Sequence, residues 1–134
     1  MERLKSHQDF TAVLRKRKKV STKDIVVHFV VTSPSASNNQ MSDLVSSTGK
    51  KRLGLAVTKS VGNAVKRNAV KRRFRVLARR YEHLLPQDVN LDIVMRAKPG
   101  CYGVPFDQLD HQVSTAFGKI ASTLQSTQQV EEAL

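Results

Sequence analysis

Apolar residues recur every three to four positions in three parts of the chain, and this spacing predicts amphipathic helices. The three predicted helices span residues 6–15, 63–85 and 107–125. Ser6 or Asp9 can cap the first helix, and Asn63 or Ser60 can cap the second. Pro86 is expected to stop the second helix, because proline lacks the N–H that would continue it.

Three other segments alternate with a period of two or are rich in β-branched residues, which predicts strands at residues 24–31, 51–58 and 91–97. One face of these strands is apolar and must be covered by other parts of the protein. This face consists of Ile25, Val27, Phe29, Val31, Leu53, Leu55, Val57, Leu91, Ile93 and Met95. The opposite face carries small or polar residues, among them His28, Gly54 and Arg96. That face is predicted to be partly open, although an ordinary solvated sheet face explains the pattern equally well.

The resulting order, α-β-β-α-β-α, predicts an α/β sandwich (α+β) of two or three layers around one sheet. All 134 residues are assigned to a single domain. Residues 34–50 are rich in Ser, Asn and Gly and are expected to form a mobile loop. A second loop is expected at residues 98–105, and residues 126–134 are expected to fray.

The excess of positive charge indicates which class of molecule the protein binds. The chain has 23 Lys and Arg against 11 Asp and Glu, a formal net charge of +12. Nucleic acid is the first candidate partner and an anionic membrane surface the second. No apolar run is long enough to span a bilayer, and no signal peptide is evident, so a cytoplasmic location is expected. The single Cys101 excludes an internal disulfide framework.

The second predicted helix concentrates this charge, since residues 59–80 contain no acidic side chain. At 100° per residue, a core seam forms from Val70, Phe74, Leu77 and Tyr81. Beside that seam lies a contiguous basic arc of about 140°, made by Arg67, Lys71, Arg75, Asn68, Arg79 and Arg72. A solvated helix face is the alternative, but so long a run of one sign favours contact with phosphates.

No catalytic constellation accompanies the basic arc. The four histidines, His7, His28, His83 and His111, lack metal-ligand spacing, and one cysteine cannot build a usual zinc site. A Gly-x-Ser-x-Gly nucleophile motif is also missing. We therefore predict neither a catalytic residue nor a metal site in the protein, and we interpret Cys101 as a bystander.

Residues 52–75 closely resemble the signature of the bacterial ribonuclease P protein family. A glycine-containing strand leads through a lysine to a Gly-Asn-Ala-Val helix entrance, followed by Arg-Asn-x-x-Lys-Arg-x-x-Arg. The last motif is matched here by Arg67, Asn68, Lys71, Arg72 and Arg75. The Asp9-Phe10 pair and the Ala-Lys-Pro at residues 97–99 are also similar to the family, and the similarity spans residues 6–117.

The resemblance implies a protein subunit of ribonuclease P, which binds the catalytic RNA and the 5′ leader of precursor tRNA to promote removal of the leader. The RNA holds the Mg²⁺ that the holoenzyme requires, and no cofactor, membrane or small-molecule substrate is expected for the protein. Contacts to the catalytic RNA are carried over to Lys59, Arg67, Asn68, Lys71, Arg72 and Arg75. Contacts to the leader are carried over to Phe10, Leu14 and His28, the last two at positions where the family often has aromatic residues.

The family's fold implies one mixed, mainly antiparallel sheet of about four strands, with an additional short strand that we place at residues 19–21. It also implies a left-handed βαβ crossover, whereas general chirality rules favour a right-handed one. If the first two long strands pair, His28 lies next to Gly54 and Ala56. Two alternative functions stay open: a ribosomal or other structural RNA-binding protein, and a stand-alone nuclease, for which no acidic or histidine cluster is found.

Overall fold

The structure is a computed structural model that describes residues 1–16, 18–32 and 49–133, with side chains described as far as Leu124. The predicted mobile loop at 34–50 therefore lies almost wholly outside the described residues. The strands are β1 (Glu2–Arg3), β2 (Lys19–Ser21), β3 (Ile25–Val31), β4 (Lys51–Ala56) and β5 (Leu91–Ala97). The helices are α1 (His7–Arg15), α2 (Ala64–Tyr81) and α3 (Phe106–Ala133), with 3₁₀ turns at Lys59–Val61, Glu82–Leu84 and Cys101–Gly103.

Two of the predicted N-cap residues, Ser6 and Asn63, cap helices α1 and α2. The Ser6 hydroxyl accepts a hydrogen bond from the Gln8 N–H at 3.1 Å, and the Asn63 side-chain oxygen accepts one from the Lys66 N–H at 3.0 Å. Helix α2 ends at Tyr81, short of the predicted residue 85, because the chain tightens into a 3₁₀ turn before Pro86. Helix α3 continues eight residues past the predicted end at 125, because residues 126–133 contain no Gly or Pro and are rich in good helix formers.

The sheet has five strands in the order β1-β4-β5-β3-β2. The pairs β1/β4 and β4/β5 are parallel, and β3/β5 and β2/β3 are antiparallel. The predicted short strand at 19–21 is confirmed as β2. The expected mixed sheet is confirmed, with ten antiparallel residue pairs against eight parallel ones. The expected count of about four strands is wrong by one, because β1 is too short to leave a pattern in the sequence.

The conditional pairing of β3 with β4 is also wrong. Helix α2 connects β4 to β5 as a crossover, so β5 lies between β3 and β4 and pairs with both. His28 consequently faces Val94 on β5 and Lys19 on β2, with Gly54 one strand farther away in the same row. The left-handed sense of this crossover stays a prediction.

The main core lies between one face of the sheet and helices α2 and α3. The predicted seam residues Val70, Phe74 and Leu77 are fully buried there against the apolar strand face. Helix α3 contributes its predicted stripe, which consists of Leu109, Val113, Phe117, Ile120 and Leu124. Burial on this scale is the principal stabilising term of the fold.

Helix α1 covers part of the opposite sheet face and makes the molecule three-layered. Val13 packs there with Leu4 and Val94, and Phe10 lies at the margin of this second, smaller core. Arg52 joins the two layers, donating to both carboxylate oxygens of Asp92 at 2.8 and 2.6 Å and to Asp9 of α1 at 3.3 Å. The bond to Asp92 is the main cause of a raised pKa of Arg52, so the guanidinium stays charged.

Candidate nucleic-acid interface

Helix α2 presents the predicted basic arc to solvent. Asn68, Arg72 and Arg75 are exposed, while Arg67 and Lys71 are half-buried beside the core seam. None of these cations joins the ion pairs found among the described residues. Lys59 is exposed in the 3₁₀ turn that precedes the helix. The structure thus places five of the six predicted RNA-subunit contacts along one side of a single helix, with the sixth at its approach.

The basic arc borders a groove that extends beyond the helix. Lys71, Arg75 and Arg79 form one wall of a groove of about 380 Å³, and β1 and Phe10 contribute other parts of its lining. The groove lies where β1 pairs with β4 at one edge of the sheet, and it connects the basic arc with Phe10 of α1. Sequence reasoning treated these as two separate surfaces, because β1, which brings Arg3 into the groove, gave no signal of its own.

Phe10 is held in place by the absence of a side chain on β4. A Cβ atom built on Gly54 would lie 2.5 Å from Cζ and 2.7 Å from Cε1 of the Phe10 ring, well inside van der Waals contact. Because residue 54 is glycine, the Phe10 ring can pack directly against the backbone of β4. The predicted leader residue is fixed in orientation and half-buried, and it still lines the groove.

Replacing Gly54 with alanine is expected to lower the free energy of unfolding by about 1–3 kcal/mol, because the new methyl group overpacks the site against Phe10. The measurement is urea denaturation of the variant and its parent. Gly118→Ala is the matched control, since nothing lies within 4 Å of a Cβ there and alanine is the better helix former. The added substitution Phe10→Leu should recover most of the loss; equal stability of Gly54→Ala and the parent would contradict the packing argument.

The other two predicted leader residues lie in contrasting environments. Leu14 is 39% exposed on α1, one turn after Phe10, whereas His28 is only 7% exposed. Within the described part of the chain, neither ring nitrogen of His28 has a hydrogen-bond partner. Burial, helped by the charges of Arg96 and Lys19, lowers the pKa of His28 below its usual value. The imidazole is therefore neutral at neutral pH and keeps one unused donor and one unused acceptor.

Cys101 is the remaining reactive group that the sequence singled out. Burial, with a smaller contribution from Asp24, raises the pKa of the Cys101 thiol to about 11, so it stays protonated. Among the side chains of residues 1–16, 18–32 and 49–124, no three His, Cys, Asp or Glu group closely enough to hold a metal ion. The same residues include no helix with the length and apolar character needed to cross a membrane.

Comparisons with known proteins identify a family and agree with the fold. The family model described as Ribonuclease P matches residues 1–121. Ribonuclease P protein components from Corynebacterium glutamicum and Pediococcus pentosaceus are 31% and 32% identical to this chain. The first alignment covers 87% of the chain and 90% of the relative, and the second covers 97% and 96%. The solved structure of the ribonuclease P protein from Thermotoga maritima has the same fold, with a TM-score of 0.69 at 23% identity over 89% of this chain and 97% of that one.

Proposed function

This chain belongs to the ribonuclease P protein family, and we propose on that basis that it binds the catalytic RNA of ribonuclease P together with the 5′ leader of precursor tRNA. In this role it promotes endonucleolytic removal of the leader and formation of the mature 5′ end in the cytoplasm. In this proposal the RNA subunit carries the chemistry, and the Mg²⁺ that the holoenzyme requires would be held by that RNA and would supply metal-ion catalysis there.

The observation that carries the proposal is the unpaired basic arc of α2. Arg67, Lys71, Arg72 and Arg75 lie within a few turns of one helix without carboxylate partners among the described ion pairs. Cations this close repel one another, and phosphates between them relieve the repulsion. Arginine suits this task, because its planar fork binds two phosphate oxygens at once. The catalytic RNA is assigned to this arc, with Lys59 and Asn68 adding contacts.

The groove beside β1 suggests how the two RNAs share the protein. Its wall carries Lys71 and Arg75 of the arc, and Phe10 contributes to its lining. An unpaired leader that leaves the catalytic RNA at the arc would reach the aromatic ring through this groove, with its phosphates next to cations. Phe10 then stacks on a leader base, and Leu14 adds an apolar contact one helical turn away.

The direct test is multiple-turnover cleavage of precursor tRNA by the catalytic RNA at low Mg²⁺, with and without the chain. The chain is expected to raise the rate substantially, whereas purified chain freed of RNA should leave the precursor intact. An unrelated basic protein of similar net charge is the control for simple charge neutralisation. Cleavage by RNA-free chain, or an unchanged rate with the chain present, would contradict the proposal. Copurification with ribosomal RNA instead of the catalytic RNA would favour the ribosomal alternative.

A further inference from the structure

Helix α2 carries a second row of cations on the flank opposite the basic arc. Lys66, Arg73 and Arg80 recur every seven residues, so they lie on one side of the helix, across the core seam from Arg67 and Lys71. These three side chains all contact aromatic rings. The Lys66 Nζ and the Arg73 guanidinium carbon lie 5.5 and 5.2 Å from the centroid of the Tyr102 ring, and the Arg80 guanidinium carbon lies 5.7 Å from that of Phe106.

The turn that carries Tyr102 is anchored to the core of the protein. Its neighbour Cys101 is fully buried and anchors the 3₁₀ turn Cys101–Gly103 to the core. The turn is entered through Gly100, whose φ of +86° lies in the left-handed region that favours glycine. Arg73 donates a hydrogen bond to the Tyr102 carbonyl oxygen at 3.0 Å. Tyr102 as a whole nevertheless remains 38% exposed, so its side chain is not packed away.

The Tyr102 and Phe106 rings differ in the net charge of the groups around them. Beside Phe106, the Arg80 guanidinium forms an ion pair with Asp110 at 3.2 Å, so that cluster is neutralised. Beside Tyr102, neither Lys66 nor Arg73 belongs to any ion pair among the residues that the structure describes. The Tyr102 cluster therefore keeps two positive charges next to an exposed aromatic surface, which is the combination that binds unpaired nucleotides.

We propose that Tyr102, Lys66 and Arg73 bind one unpaired nucleotide of RNA, with its phosphate on the two cations and its base against the exposed ring. This inference rests on the proposed function and extends it: RNA contacts α2 along both flanks instead of along the basic arc alone. The nucleotide belongs either to the catalytic RNA or to precursor tRNA, and the chemistry of recognition is the same for both. An acidic protein segment would use the cations but would gain little from the ring.

The test compares Tyr102→Ala with Tyr102→Phe and with Phe106→Ala, which removes the ring from the neutralised cluster. Affinity is measured for the catalytic RNA alone and, separately, for precursor tRNA with the preassembled holoenzyme. We expect Tyr102→Ala to weaken binding of one of these RNAs about fivefold or more, and the other two variants to bind like the parent. Which RNA is affected identifies the source of the nucleotide. Thermal unfolding of each variant reports any damage to the fold.

A second variant, Lys66→Gln with Arg73→Gln, keeps the ring and removes the charges, so it tests the cluster even if Tyr102→Ala unfolds. It should lower the slope of log affinity against log salt by about 0.7, because the two cations share one single-stranded phosphate. Parent-like binding of both RNAs by Tyr102→Ala and by the double variant would overturn the inference. Equal losses in Tyr102→Phe and Tyr102→Ala would also overturn it, since stacking does not need the hydroxyl. If the parent chain itself binds neither RNA, that result would contradict the proposed function and not only this inference.

Discussion

Replacing Arg67, Lys71 and Arg75 together by alanine is expected to weaken binding of the catalytic RNA at least about 100-fold at moderate salt. Each is expected to make a charge-assisted contact to a phosphate, and such bonds contribute about 1.5–3 kcal/mol apiece. The slope of log affinity against log salt should fall by about 2–3, since each lost contact removes about 0.7–0.9. Stability should change little, because the core contacts of α2 come from Val70, Phe74 and Leu77.

The matched control removes the same charge from elsewhere on the surface. Lys23, Lys50 and Lys119 are exposed and lie outside α2. Their triple alanine variant lowers the formal net charge from +12 to +9, as the arc variant does. Binding titrations at several salt concentrations compare the two variants. Equal losses in both would mean that overall charge, and not the arc, determines affinity, and an unchanged slope in the arc variant would place it outside the interface.

Loss of the Phe10 ring is expected to reduce the affinity of the holoenzyme for precursor tRNA while leaving its affinity for mature tRNA nearly unchanged. A base–aromatic stack contributes about 1–3 kcal/mol, so Phe10→Ala should weaken leader-dependent binding about fivefold or more. Phe10→Leu is the sharper variant, because leucine keeps apolar contact with Leu4 and Gly54 but offers no aromatic face. Affinities for precursors with and without a leader, measured on variants that still bind the catalytic RNA, provide the comparison.

His28→Ala should change leader binding in the same direction but by less. The imidazole is buried, and only a neutral donor and acceptor remain for a base to meet. If variants at Phe10 and His28 both distinguish precursor from mature tRNA as well as the parent does, the leader does not follow the groove beside β1. That outcome would leave the basic arc and its assignment to the catalytic RNA untouched.

Features that depend on local periodicity were predictable from the sequence. The spacing of residues within one element predicts which side chains share a face, and packing between elements does not change that spacing. It was sufficient to predict the core seam and basic arc of α2, both helix caps and the apolar strand faces. The seam residues Val70, Phe74 and Leu77 are all fully buried, as their 100° spacing required. The roles given to Phe10, Leu14 and His28 came from family resemblance, and they stay predictions.

Features that depend on how elements meet were not predictable. The two-residue β1 has too few residues for any period, yet it helps to form the groove that joins Phe10 to Lys71 and Arg75. His28 was expected on a partly open face, but α1 packs on that face and His28 is only 7% exposed. The Tyr102 cluster arises because α2 passes beside the turn after β5, a contact between distant parts of the chain.

The central position of β5 sets the order in which a newly made chain can fold. Strands β3 and β4 are synthesised first, but each must wait for β5, which lies between them. Pairing across such sequence separation is slow, and until residue 97 has been made both strands keep unpaired backbone edges that can recruit other chains. The cations of α2 are synthesised before β5, so the part of the protein that attracts polyanions is complete before the sheet that supports it. A chain that stops before Leu91 lacks the middle strand of its sheet and cannot close the core around Phe74.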